Sequence, residues 1–565
     1  MNVFSRGLRV AVISALLCAG ATQAVAQISP SDAAQRPGGA PPLTPPPLEP
    51  RREPPAIDLR LAPPPDRGRA LAGPSFRPLR IELEGNTVLE PAAIAEITRE
   101  YEGREIDSDD IEDLRLRLTR LYVERGYVNS GVLVPDQDVA DGVLRLRAVE
   151  GRLTRIEILG EGLRLRPSYI ESRLALGAYP ALNLNRLRER IEIMQQDGPI
   201  ERINAEIVPG IAPGEAVLRA QVTEARPYDA GIAINNHRNT AVGELRAEVF
   251  GSHRNVTGNG DRIEGRIGTT RGLDDYSLAY AVPVTHYDTT LLLSHSKSDA
   301  LVIESTLRPL DITNRSRTES VGIEHPLWRT PAATLRISAA REHRRSETFL
   351  LGVPFSFTPG VPDGGARAKL WRLAASWIER DADIVIAARL QFTSGDTNVP
   401  AGTAGAAVPA PGFAAWLGQL HWGRRFTEFG GQVIARLEFQ ETSDVLLPME
   451  RYGLGGASTV RGFRENQLLR DGGQFASVEY RHPVLGKERP ELQAAVFLDY
   501  GRSYVNDATR VAPDGLSSIG VGLLWSPGRR ANAQLYYAHG SRNFAQSERG
   551  WQDRGVHFNA SYVFF

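Results

Sequence analysis

From Tyr228 to Phe565 the chain runs in short segments of about ten residues, in which apolar residues alternate with polar or small ones. Gly, Asn, Asp and Pro separate the segments. Residues 491–501 show this most clearly. Leu492, Ala494, Val496, Leu498 and Tyr500 form one face, and Gln493, Ala495, Phe497 and Asp499 form the other. A period of two predicts strands with one apolar and one polar side. Sixteen strands are expected, starting near Tyr228, Val242, Asp261, Asp274, Asp288, Arg315, Ala332, Ala368, Ala382, Phe413, Gly431, Gly473, Glu491, Ser517, Ala531 and Gly555. Their connections alternate in length. Short ones lie near Asp381 and at residues 426–430 and 527–530; long ones span residues 346–367, 394–412 and 442–472.

A soluble β-sandwich would alternate as well, but two features favour a membrane barrel. Trp371, Trp377, Trp416, Trp422, Trp525 and Tyr562 fall near segment ends, where lipid headgroups would meet them. Past residue 26 no run of about 18 apolar residues occurs, so no helix is expected to span a bilayer. A chain that crosses lipid without such helices must close its strands into a barrel, leaving no unpaired backbone. An even strand count, with short turns at one end and long loops at the other, fits an outer-membrane barrel over residues 227–565. Both barrel ends are then expected on the periplasmic side.

Between residues 76 and 226 the period changes. Residues 79–83 alternate as a strand, residues 91–100 read as a short helix, and Ser108 opens a longer one. Ile111, Leu114, Leu118, Leu121 and Tyr122 share a face of that helix, which Gly126 stops. Residues 132–134 and 143–149 then read as strands joined through Asp141-Gly142. The same order follows in residues 154–159, 167–176, 183–196, 203–208 and 216–223, with Leu184, Leu187, Ile191 and Met194 on one helical face. The order β-α-α-β-β therefore occurs twice, over residues 76–151 and 152–226. Two unrelated α+β domains would read alike, and periodicity leaves both readings open.

The N-terminal stretch carries no such pattern. Arg6 and Arg9 precede an apolar run over residues 10–21, and Ala24-Val25-Ala26 is a small-x-small site. This predicts a signal peptide over residues 1–26, cut between Ala26 and Gln27. The run is too short for a spanning helix, and Leu17 stands before Cys18 where a lipoprotein signal carries a small residue. Residues 27–75 form a proline-rich tether, in which Pro41-Pro42, Pro45-Pro46-Pro47, Pro54-Pro55 and Pro63-Pro64-Pro65 exclude continuous helix or sheet. Only residues 29–36 offer a short helix, capped by Ser29.

Composition adds limits. The 565 residues carry a formal net charge of -1 and 24% charged residues, so no global field attracts nucleic acid. Mean hydropathy is -0.26, in keeping with a barrel whose inner face is polar. Cys18 is the only cysteine, so a mature chain has no disulfide framework and no thiolate metal site. The ten histidines are scattered without an HExxH pattern, and neither a G-x-S-x-G elbow nor a P-loop is present. Gly453-Leu454-Gly455-Gly456 lacks the βαβ context of a dinucleotide site. No enzyme, cofactor or metal is expected, and any transport must run without nucleotide hydrolysis here.

Several motifs resemble a known family. The paired α+β units resemble POTRA domains. Val134-Pro135-Asp136-Gln137-Asp138, Asp141-Gly142 and Val149-Glu150-Gly151 are similar to the end of the first POTRA in two-partner secretion transporters. Residues 182–228, with Ala205-Glu206-Ile207-Val208-Pro209-Gly210, resemble their second POTRA. The barrel resembles the sixteen-stranded translocators of the haemolysin and filamentous-haemagglutinin exporters. The most specific motif is Val460-Arg461-Gly462-Phe463, inside the longest expected extracellular loop.

The resemblance implies that this loop folds back into the lumen, where its arginine meets an aspartate of the inner wall. Phe497-Leu498-Asp499-Tyr500-Gly501 matches the aspartate motif, and alternation independently places Asp499 on the polar face. Alone, Arg461 reads as a solvated loop residue; opposite Asp499 it reads as half of a fixed, bidentate pair. Gly462 would allow a tight tip, and Phe463 would pack on the wall. Family barrels end on one terminal aromatic read during insertion. Here the alternating set Val556, Phe558, Ala560, Tyr562 and Phe564 ends one residue before Phe565, so either phenylalanine could be that signal. A plug helix, frequent in the family, is left open by the short 29–36 candidate.

What the resemblance implies about function is export. POTRA domains in the periplasm would bind an unfolded adhesin- or haemolysin-like exoprotein, and the barrel, acting as a monomeric pore, would pass it outward. Outer-membrane lipid and the barrel-assembly machinery are the other expected partners; nucleic acid is not. The alternatives are an assembly factor of the same superfamily, whose members usually carry more POTRA units, and a passive porin, which would lack them.

Overall fold

A polypeptide in lipid must pair every backbone amide within itself, whereas one in water need only bury its apolar side chains. The chain solves both problems, in separate parts. The computed structural model describes residues 57–59, 75–139, 141–403, 408–506, 513–544 and 549–564. Ala26, Gln27, the possible 29–36 helix and Phe565 lie outside the described residues. Two compact units divide near Arg226 and Pro227.

The first unit runs β1 (Ile57–Leu59), β2 (Arg80–Glu84), α1 (Pro91–Thr98), α2 (Ser108–Glu124), β3 (Gly131–Leu133), β4 (Val143–Val149), β5 (Arg152–Leu159), α3 (Pro167–Ala175), α4 (Leu184–Gln196), β6 (Ile200–Pro209) and β7 (Glu215–Glu224). Asp107 caps α2 by accepting from the amides of Asp109 and Asp110, while Asp110 accepts from the Asp107 amide. The Arg104 guanidinium bonded to Asp110 holds that carboxyl below its ordinary range. The helix buries the face its period sets out, with Leu114, Leu118 and Tyr122 packed under Ile81, Leu144 and Leu146. Gly126 ends it at φ 93°, a conformation open to glycine.

Both sheets share one topology. β2 pairs in parallel with β4, and β3 pairs antiparallel on the other side of β4. In the same way β5 pairs in parallel with β7, and β6 antiparallel with β7. The second core holds Ile170, Leu174, Leu187, Ile191, Ile203 and Leu218. The two repeats are joined at Asn183, which caps α4 and also donates to the Arg125 carbonyl at 2.9 Å.

The prolines exclude continuous sheet in the tether, and among the described residues only the three-residue β1 forms there, adding in parallel to the edge of β6 with Ile57 opposite Ala205. It lies between Pro55 and Pro63 in a stretch without proline. Every residue there can donate an amide, so an existing strand edge can order it.

The second unit is a closed barrel of β8 (Tyr228–Asn235), β9 (Arg246–Arg254), β10 (Arg262–Thr269), β11 (Leu273–Pro283), β12 (Thr290–Leu301), β13 (Thr313–Arg329), β14 (Ala333–Leu350) with a two-residue annex β15 (Val353–Pro354), β16 (Gly365–Arg380), β17 (Ile384–Thr397), β18 (Gly412–Arg425), β19 (Gln432–Glu441), a loop hairpin β20 (Tyr452–Leu454) and β21 (Leu468–Arg470), β22 (Gly472–Pro483), β23 (Leu492–Tyr504), β24 (Gly515–Trp525), β25 (Ala531–Gly540) and β26 (Val556–Val563). Neighbours in the wall are antiparallel, and β26 closes on β8. Setting aside the annex and the hairpin, sixteen strands form the wall, as the alternation predicts. The largest offset in start is at β9, expected at Val242 and found at Arg246. Residues Thr240–Val242 instead form a 3-10 turn capped by the Asn239 side chain.

Alternation sets what each face meets. On β23, Val496, Leu498 and Tyr500 point outward and are exposed, whereas Phe497, Asp499 and Gly501 are buried on the lumen side. Trp371, Trp416, Trp525 and Tyr562 are also exposed, and Trp328 stacks on Trp377 at 5.2 Å. Tyr562 and Phe564 stand outward as an edge-to-face pair at 5.7 Å, and the Phe564 amide donates to the Ala230 carbonyl across the closure. Among the described residues no helix is long and apolar enough to cross a membrane.

Candidate functional site: the lumenal loop

The loop between β19 and β22 turns inward, because its apolar residues find cover only on the barrel wall. Val460 and Phe463 are buried with Tyr452, Leu454 and Leu468 of the hairpin, against Phe475 of β22 and Leu516 of β24. Antiparallel pairing of Tyr452 with Arg470 and Leu454 with Leu468 stiffens the stem. At the tip Gly462 has φ 87°, and a Cβ there would stand 3.0 Å from the Ala538 side chain and 3.2 Å from its carbonyl. Glycine is therefore required for conformation and for space. Its amide donates to Nε2 of His557 on β26 at 2.9 Å. Gly501 serves the same end on β23, where any Cβ would run into Leu454. Phe463 meets Phe544 edge-on at 6.1 Å.

Arg461 is 2% exposed and Asp499 is 2% exposed. The guanidinium grips the carboxylate with two parallel bonds, Nε to Oδ2 at 2.8 Å and Nη2 to Oδ1 at 2.9 Å. The Arg461 backbone amide adds a third, at 3.1 Å to Oδ2. Such a fork fixes direction as well as distance. The expected pair is thus brought together, along with Val460, Gly462, Phe463 and Gly501.

The site also contains residues that the motif reading missed. Glu479 on β22 accepts from Nη1 of Arg461, and Ser477 accepts from Nη2 at 3.3 Å. Phe497 lies under the guanidinium at 3.4 Å, Tyr536 flanks it at 4.8 Å, and the Tyr536 hydroxyl donates to Glu479. One signal was available for Glu479: it shares the alternating face of β22 with Phe475 and Ser477, all buried. Beside Phe463, Arg464 forms a second fork to Asp553 at 2.7 and 2.9 Å, and the Glu465 amide donates to Gln552. Breaking the Arg461 fork would leave Asp499 buried without its arginine, whereas Glu479 keeps Arg481 at 2.6 Å.

In the first unit the strand edges differ. β6 carries β1, whereas β3 is an outer strand with no further partner among the described residues. Leu133 and Val134 beside that bare edge are exposed, as is Val123 of α2.

Comparison with known proteins fits this geometry. The ShlB-type POTRA domain matches residues 76–151, and the haemolysin secretion/activation protein family ShlB/FhaC/HecB matches residues 214–524. The outer membrane transporter CdiB of Dickeya dadantii is 24% identical over 454 residues, covering 74% of this chain and 75% of that protein. The heme/hemopexin transporter protein HuxB of Haemophilus influenzae is 20% identical over 467 residues, covering 76% and 77%. The solved structure of CdiB from Escherichia coli superposes with a TM-score of 0.67 at 20% identity, covering 94% of this chain and 95% of that one. With a POTRA domain ahead of a closed outer-membrane barrel, the chain belongs to the haemolysin secretion/activation protein family ShlB/FhaC/HecB.

Proposed function

We propose that this chain exports one unfolded exoprotein, adhesin- or haemolysin-like with a β-helical fold, from the periplasm through its barrel. The observation that carries the reading is the buried Arg461 fork to Asp499 and Glu479, which holds the inward-turned loop against the barrel wall and on this reading acts as a latch that releases. The client adds a strand to a POTRA sheet edge by β-augmentation. The β3 edge, with Leu133, Val134 and Val123 beside it, is open to this; the β6 edge requires β1 to leave first. The latch then releases, the chain passes, and folding outside prevents return. Lipid holds the outward Trp and Tyr residues, and the barrel-assembly machinery reads the terminal strand, with Phe564 in register on the lipid side.

Export through the lumen, rather than insertion of other barrels, needs the β26–β8 closure to stay shut. That closure has five registered pairs, fewer than any other junction between the sixteen wall strands. The Asn236 side chain extends it by accepting from the Phe558 amide and donating to the Val556 carbonyl, and buried Gln552 donates to the carbonyls of Asn236 and Arg238.

The test is secretion of a co-expressed exoprotein that carries a signal peptide and a β-helical N-terminal region. Arg461→Ala should leave the barrel inserted and heat-modifiable while secretion falls at least about tenfold, as expected when about 1.4 kcal/mol or more of latch energy is lost. Normal secretion by that variant would remove the latch from the mechanism. Deleting residues 79–150 should abolish client binding, and unchanged binding would exclude the first POTRA domain as the receptor.

A further inference from the structure

A second set of buried charges holds the same loop at its other end. Glu450 closes the 3-10 turn Pro448–Glu450 just before β20 and is 2% exposed. It is bound to the wall rather than to its own loop. Arg344 of β14 forms an ion pair from Nη1 to Oε1 at 3.0 Å, and Arg372 of β16 donates from Nη2 to Oε2 at 2.9 Å. Glu342 of β14 accepts from the same two arginines, at 3.3 and 2.8 Å, so two cations and two anions balance. Arg344 also donates to the Met449 carbonyl, and Arg372 to Thr393 of β17. On the near side Gln440 of β19 donates to the carbonyls of Glu450 and Asp471.

The two charged sets grip different walls. Glu450 is held by β14 and β16, Arg461 by β22 and β23, and β17, β18 and β19 lie between those walls. Between the two grips the backbone passes Gly455 and Gly456, at φ 105° and 101°, and it returns past Asn466 at φ 56°. The loop is therefore fixed at base and tip, with left-handed joints on both sides of the tip segment.

We propose that Glu450 is the anchor of the lumenal loop: a positioning residue that clamps its base to β14 and β16, so that release at Arg461, together with the Arg464–Asp553 fork, swings the tip about residues 455–456 and 466 without freeing the whole loop. This rests on the reading of Arg461 as the latch. A carboxylate with both oxygens committed to two buried arginines is far costlier to withdraw than a hydrogen bond between neutral groups. The anchor also explains how the tip returns to Asp499, since a loop pivoting from a fixed base searches a small volume.

The test uses the full chain in proteoliposomes. Ser458→Cys is the reporter, in a mature chain without other cysteines, labelled with a membrane-impermeant maleimide. Leu351→Cys in another loop is the control. The anchor variant is E450Q/R372Q, which removes one charge of each sign and leaves Glu342 paired with Arg344. We expect it to raise labelling at position 458 at least fivefold with Arg461 intact, with no change at 351. E450D keeps the charge but shortens the reach, so it should fall between this variant and wild type; it carries the test alone if the double variant does not fold. Wild-type labelling in E450D and E450Q/R372Q beside faster labelling in R461A would overturn the anchor and keep the latch. Faster labelling in the anchor variants with no change in R461A would support the anchor and overturn the latch. No change in any variant would overturn both.

Discussion

The two parts of this chain are built inside out with respect to each other. In the periplasmic-type unit the buried residues are mainly aliphatic, Leu114, Leu118, Leu187 and Ile191 among them, and its charges other than Arg173 lie outside. In the barrel the large aliphatics Val496, Leu498, Ile519 and Leu523 are exposed, while Arg461, Asp499, Glu479, Arg372 and Glu450 are buried. Each part places its apolar surface away from water, and only the location of the water differs. The first unit gains specificity from packing. The barrel gains it from paired charges, which are costly to leave unpaired and so favour one arrangement over many.

Substitutions can break this contrast or sharpen it. The largest effect should come from Arg461→Ala, which leaves Asp499 without its arginine fork while Glu479 keeps Arg481 at 2.6 Å; about 3–5 kcal/mol of loop stability should be lost. Hydrogen exchange of the amides at positions 461 and 462, which donate to Asp499 and His557, would report it, and unchanged protection there would mean that apolar packing alone holds the tip. Next, Leu118→Ala should cost about 2–5 kcal/mol in the first unit, by transfer and cavity terms together. Exchange should rise across α2 and β4 while barrel strands keep their protection. Leu498→Arg places a cation on the lipid side midway along β23, where about 2–4 kcal/mol is expected; urea unfolding in vesicles should show it, and an equal cost for Leu498→Ala would contradict a lipid environment. The smallest effect is Asn183→Ala. Loss of the α4 cap should cost about 1 kcal/mol, with faster exchange of the Asn185 and Arg186 amides.

What could be read without the fold follows from local geometry. Alternation placed Asp499 on the lumen side because a strand's faces are fixed by a period of two, whatever lies around it. The same rule located the wall strands to within four residues, and helical spacing selected Leu114, Leu118, Leu187 and Ile191 as core. The Arg461–Asp499 contact required more than a period: it came from a resemblance in two distant motifs. Glu479 was legible in principle on the face of β22 but shares no motif with the tip.

By itself, then, the sequence determined where strands and helices run, which face of each is apolar, and that a chain lacking long apolar helices must close on itself to enter lipid. Only the tertiary structure decided that β1 pairs with β6, that Glu450 reaches β14 and β16, and that one arginine satisfies two carboxylates from different strands. Those contacts join residues far apart in sequence across a closed wall. Their partners are chosen by barrel closure and by the exclusion of water from the loop's buried charges, and no local pattern encodes either.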